Sequence, residues 1–155
     1  MMKKTIITLF LCVISISLFA QTENDYIEVV RSVLKTEKKA VIAEVMELTE
    51  AESVPFWELY NEYDFELSKV QNIRLNAIKE YADEYGILTD EKADALWSQV
   101  MDFKTASLKL EKSYYKKFKK ILPAAKAAKY FQAENKIEAM VAASIAAQVP
   151  MIIED

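Results

Sequence analysis

The sequence predicts an all-α protein: a long antiparallel helical hairpin with flanking N- and C-terminal helices, four helices in the mature chain. Three observations predict it. Apolar residues recur at steps of three and four, and no segment alternates with period two for long. One glycine and three prolines in 155 residues leave few breakpoints. Capping and stop residues stand where the apolar stripes begin and end.

The first segment lies apart from the fold. Residues 1–20, "MMKKTIITLFLCVISISLFA", open with Lys3 and Lys4, continue as a short apolar run and end in Ala20. That is the pattern of a secretory signal peptide, cleaved after Ala20, and it predicts a periplasmic protein. The run from Ile6 to Phe19 is shorter than the ~20 apolar residues of a spanning helix. Cys12 lies mid-run without the small residue that precedes a lipidated cysteine. Residues 21–155 remain as a single helical domain, long enough for one core. The one cysteine leaves with the leader, so this domain has no disulfide and must be held by packing.

Four stripes follow in order. Ile27, Val30, Leu34, Val41, Val45 and Leu48 predict a helix over 24–46. Phe56, Tyr60, Tyr63, Leu67 and Val70, continued by Ile78, Tyr81 and Tyr85, predict one over 50–85. Leu96, Val100, Phe103, Ser107, Leu110, Tyr114, Phe118 and Ile121 predict one over 90–121. Ala127, Phe131, Glu134, Ile137, Val141 and Ile145 predict the last, over 123–148. Thr49 with Glu52 reads as a capping box. Pro55 follows and offsets or kinks that first turn. Gly86 stands where a helix stops in the left-handed conformation. Thr89 caps the next helix, with Asp90 and Glu91 complementing its dipole. Pro123 suits a first turn, where a missing N–H costs little, and Pro150 ends the last helix.

Helices two and three are roughly 50 Å long at 1.5 Å per residue. The short connection at Gly86–Leu88 makes them an antiparallel pair. Opposed residues then have numbers summing to about 174. Tyr60 is expected against Tyr114, Tyr63 against Leu110, and Val70 against Phe103. The five rings between Phe56 and Phe65 mean either two packing neighbours or one neighbour and an open groove.

Charge is uneven. Residues 21–102 carry 19 acids and 8 bases, and residues 103–155 carry 5 acids and 10 bases. The two halves of one bundle attract each other, or the basic half steers a partner. "KSYYKKFKK", residues 112–120, concentrates that basic charge. Lys109, Lys112, Lys116 and Lys119 share one stripe, beside Tyr114, Phe118 and Ile121. This is a snorkelling rim around an apolar face, or a binding face formed by Trp57, Lys112, Tyr115, Lys116, Phe118 and Lys119 at the open end of the hairpin. An acidic exported chain argues against nucleic acid as the partner.

The chain contains no histidine. That excludes Ser–His–Asp and Cys–His nucleophile systems and His-ligated metal. No glycine-rich loop is present to cradle a phosphate. The acids around Gly86 lack the spacing of a calcium loop. An acidic bundle supplies many carboxylate pairs, and nothing singles one out. The reading is a non-enzyme, with no catalytic residue, no metal ligand and no cofactor. Gln132, Glu134 and Asn135 read as a polar network between helices.

"LTEAE", residues 48–52, resembles the LTxxQ motif of the Spy/CpxP-like periplasmic stress proteins, with Glu52 in place of Gln. "ILPAAKAAKYF", residues 121–131, resembles the second copy, departing from it at Pro123 and Lys126. "LTDEKADALW", residues 88–97, is similar to the start of the long helix between them. The carried-over motif positions are Leu48, Thr49, Glu52, Leu122, Pro123 and Lys126. The chain is also similar to exported helical bacterial proteins with an "FW-x-x-Y-x-x-Y … LP-x-x-K-A-A-x-x-F-Q-x-E-N-K" pattern. The resemblance implies a cradle-shaped helical protein that often dimerises. It implies nucleotide-independent binding of unfolded or envelope protein clients. The alternative is a regulatory partner of a membrane sensor protein. Metal-sensing members of that family use histidines, which this chain lacks.

Overall fold

The structure, a computed structural model, describes residues 34–153. The signal-peptide reading of 1–20 and the first part of the predicted 24–46 helix lie outside the described residues. Within them the chain is all-α. Helix α1 covers residues 34–46, α2 Glu50–Asp83, α3 Asp90–Ile121 and α4 Ala124–Gln148. The described residues divide between two units, the boundary falling between Glu44 and Val45. Helices α2, α3 and α4 belong to the second unit and are described by themselves. No helix among the described residues is long and apolar enough to cross a membrane.

Local chemistry accounts for each boundary. Glu52 Oε2 accepts from the Thr49 N–H at 2.9 Å and the Thr49 hydroxyl at 3.0 Å, which closes the capping box of α2. The helix runs through Pro55, and the Ala51 carbonyl forgoes a backbone donor there. α2 stops at Asp83, two residues before the predicted end, and Gly86 takes φ +82° in the turn. The Thr89 hydroxyl accepts from the Lys92 N–H at 3.3 Å and starts α3. Leu122 is extended, as the residue before a proline prefers. Pro123 is the N-cap of α4, one position earlier than a first-turn residue, and its carbonyl accepts from Ala127 N–H at 2.9 Å.

Helices α2 and α3 form the antiparallel hairpin. Phe56 meets Phe118 at 5.5 Å, Tyr63 meets Tyr114 at 5.1 Å, Arg74 lies 4.9 Å over Phe103, and Glu80 binds Gln99. Phe56–Phe118 meets the expected 174, and the other pairs sum to a few more, so that Tyr114 touches Tyr63. The reason is the lean of helical side chains toward their own N-terminus. In an antiparallel pair the two leans oppose each other. Tips that touch therefore come from residues one to two positions further along each helix than the backbone register.

Helix α4 folds back over the open end of the hairpin. Tyr130 packs at a tilt against Phe118, centroids 4.5 Å apart, and stands edge-on to Phe56 at 5.3 Å. Phe131 meets Tyr63 at 5.6 Å and Tyr115 at 5.7 Å. Phe56, Tyr60, Phe118, Ala127 and Tyr130 are fully buried. The ring-dense stretch of α2 has two packing neighbours on its inner side. Phe65, off the stripe, is exposed with Lys69 over its ring. Toward the turn α4 stays with α2 through polar ties: Arg74 to Glu138 at 2.6 Å, Gln71 to Glu138 at 3.1 Å, and Tyr81 Oη to the Pro150 carbonyl at 3.1 Å.

Gly86 offers a clean test of the turn. An added Cβ would meet nothing within 4 Å. Gly86→Ala therefore costs only the left-handed backbone penalty, about 1–2 kcal/mol. A thermal melt is expected to show Tm lowered by about 3–8 °C, and Gly86→Asn by less, since Asn tolerates that region.

Candidate functional site

Thr49, Glu52 and Lys126, three of the six singled-out positions, come together as a latch between α2 and α4. Lys126 Nζ donates to Glu52 Oε2 at 2.5 Å and to the Glu47 carbonyl at 3.2 Å. Lys129 lies 3.9 Å from the Glu47 carboxylate. Glu47 has φ +45°, a conformation non-glycine residues seldom adopt, and Lys126 holds its carbonyl. The hydrogen bond from Lys126, then that from the Thr49 N–H, lowers the Glu52 carboxyl to about 2. Leu122 is buried beside this corner, Pro123 is exposed and Leu48 is half-buried. Glu52 and Lys126 are thus each other's partners.

The predicted binding face divides. Lys112, Lys116 and Lys119 are exposed, as are Lys109 and Lys120. Tyr115 is half-buried, with Lys119 Nζ 5.1 Å over its ring. Phe118 is not on this surface. Its stripe points inward, and α4 covers it with Tyr130 and Phe131. Trp57 is half-buried and stands edge-on to Phe56 at 5.0 Å and Tyr60 at 5.2 Å. Trp57 joins the aromatic cluster through its own helix, whereas Tyr115 joins it through Phe131 of α4.

Beside the lysines lies an open groove of about 780 Å³ between α3 and α4. Tyr115 and Phe131 form its aromatic floor, Ala125 and Ala128 one wall, and Lys129 and Lys136 part of its rim. Glu111 at its edge accepts from Asn135 Nδ2 at 3.2 Å, so the predicted polar contact between helices forms at Asn135. Gln132 lines the groove. The small residues of α4 that open the groove were not singled out from sequence. Their signal is Ala125, Ala128 and Ala139 at near-helical spacing, which also reads as ordinary helix propensity.

Two acids are buried, Asp64 and Glu134. They share the core with tyrosines. Desolvation first, then the Glu134 carboxyl, pushes the Tyr130 hydroxyl far above its ordinary range. Desolvation also raises Tyr60 and Tyr63, with Asp64 and Glu134 adding to it. These tyrosines stay neutral and serve as packing rings with polar tips. On the outer α2–α3 seam, Glu62 accepts from Tyr114 Oη at 2.8 Å and Lys117 Nζ at 2.6 Å, which lowers the Glu62 carboxyl. No three His, Cys, Asp or Glu side chains among the described residues are grouped to hold a metal ion. The chain matches no family model, no curated protein and no solved structure.

The latch carries a pH signature. The folded Glu52 pKa lies below its ordinary value of 4.5. Its stabilisation is complete above that value and is lost as pH falls toward 2. Glu52→Gln is expected to have a lower Tm than the parent at pH 7, with the gap closing between pH 4.5 and 2. Calorimetric melts across that range measure it. A gap independent of pH would separate the latch from the Glu52 charge.

Proposed function

We propose that this chain is an exported, nucleotide-independent binding protein of the envelope, chaperone-like in its action on other proteins. The observation that carries the reading is the basic surface of α3, which meets the α3–α4 groove where Lys119 lies over Tyr115, with Lys129 and Lys136 lining the groove itself. Five lysines from Lys109 to Lys120 are exposed along α3, and the adjacent groove has an aromatic floor of Tyr115 and Phe131. Apolar burial is worth about 25 cal/mol per Å², and the half-buried Tyr115 ring, backed by the buried Phe131, offers apolar surface in the groove. Lysines that are not held in the core supply steering for acidic segments. The leader-like residues 1–20 support an envelope location. The resemblance of residues 48–52 and 121–131 to the LTxxQ proteins supports a protein-binding role.

Groove and lysines act at the surface, so function and stability separate. Lys112→Gln, Lys116→Gln and Lys119→Gln together are expected to change Tm by no more than about 1 °C, since exposed substitutions are usually near neutral. The same triple variant is expected to bind unfolded clients more weakly and with a smaller salt dependence. Light scattering of two unrelated aggregating clients, with near-stoichiometric residues 21–155, is the assay. Unchanged scattering in the presence of the parent protein refutes the chaperone-like reading. A large loss of Tm in the triple variant would make the lysines structural.

A further inference from the structure

Helix α3 carries two apolar seams. The first, through Leu96, Phe103, Leu110, Tyr114 and Phe118, packs on α2 and α4. The second runs one residue behind it. Trp97, Met101, Lys104, Leu108, Glu111 and Tyr115 follow each other at alternating steps of four and three, the spacing by which a helix presents one face to a partner helix. Only its Tyr115 end is covered, by Phe131. Trp97 is 60% exposed, Met101 46% and Leu108 52%. Three large apolar side chains in line on one exposed edge form a patch, not scattered surface residues.

The charges flanking this seam are of one sign from Lys104 onward. Lys104, Lys112 and Lys119 are exposed on α3, and Lys129 and Lys136 on α4. Lys104 Nζ lies 5.5 Å over the Trp97 ring. The one acid on the seam, Glu111, is engaged by Asn135. The other acids of α3, Asp90, Glu91, Asp94 and Asp102, lie toward the other end. The neighbouring wall of α4 is built of Ala125, Ala128 and Ala139, which allow a second backbone to approach closely.

We propose that the exposed Trp97–Met101–Leu108–Tyr115 edge of α3 docks an acidic amphipathic helix presented by another protein. The helix lays its apolar face along the seam. Its acidic flank lies beside Lys104, Lys112 and Lys119, and its end beside Asp94 is uncharged or basic. This inference deepens the reading of the chain as a binding protein and rests on it.

The test uses Trp97 as reporter. The chain has two tryptophans, so a Trp57→Phe protein has Trp97 alone. The probes are a synthetic three-heptad peptide with Leu on the apolar face and Glu on both flanks, and its counterpart with Lys on the flanks. The Glu peptide is expected to shift Trp97 emission to the blue, saturably, and about tenfold more tightly than the Lys peptide. Met101→Glu with Leu108→Glu is expected to weaken Glu-peptide binding by about tenfold or more while leaving the circular dichroism spectrum and Tm intact. An absent shift, or equal shifts with both peptides, overturns the inference. A concentration-dependent blue shift without peptide assigns the edge to a second copy and also overturns it. A protein that suppresses client aggregation while Trp97 stays unmoved refutes helix docking alone; one that does neither refutes the proposed function as well.

Discussion

The contact between Phe118 and Tyr130, at 4.5 Å, is the point on which the three-helix unit depends. Neither ring belongs to the hairpin turn. Each reaches the other because Leu122 is extended before Pro123, and only these two residues separate α3 from α4. Phe56 completes the contact from α2, at 5.5 Å to Phe118 and 5.3 Å to Tyr130. Rings bury 150–250 Å² each, and well-oriented pairs add roughly 0.5–1.5 kcal/mol beyond that burial. A unit without disulfides has few other means of fixing three helices at one corner.

Stability is therefore concentrated at the open end of the hairpin. Toward Gly86 the fully or nearly buried side chains shrink to Ala77 and Leu96. There the helices are tied by exposed or half-exposed polar groups: Gln99 to Glu80, Lys92 near Glu80 and Glu84, and Arg74 to Glu138. Surface ion pairs of this kind contribute about 0–1 kcal/mol each. The open end also carries the latch of Glu52, Lys126 and Glu47, which pins the start of α2 to the start of α4. The groove of Tyr115 and Phe131 sits against this firm end, so its floor is preorganised by the core beneath it.

Much of the fold was legible in the sequence because its signals are local. Three-and-four spacing marked the helices, and Thr49, Gly86, Thr89 and Pro123 marked their ends within two residues. What was not legible depended on the path of α4. Phe118 lies on a core stripe, yet the lysines around it also describe a rim, and only the return of α4 decides between them. The expected register holds at Phe56–Phe118 and runs a few positions beyond it at Tyr63–Tyr114, because numbering the backbone ignores the lean of the side chains. Glu52 and Lys126 are 74 positions apart, and no local signal marks them as a pair. The groove was half legible: Tyr115 and its lysines stood out, while the alanines opposite carry no chemical signal until they are seen to leave space.

Residue-resolved amide hydrogen exchange tests the central claim most directly, since exchange reports the free energy of local opening along each helix. The slowest amides are expected around Phe56–Tyr63 in α2, Tyr114–Phe118 in α3 and Ala127–Phe131 in α4, with protection falling steadily toward Gly86. Uniform protection along the hairpin, or a maximum near Ala77 and Leu96, would contradict an architecture held by the Phe118–Tyr130 corner.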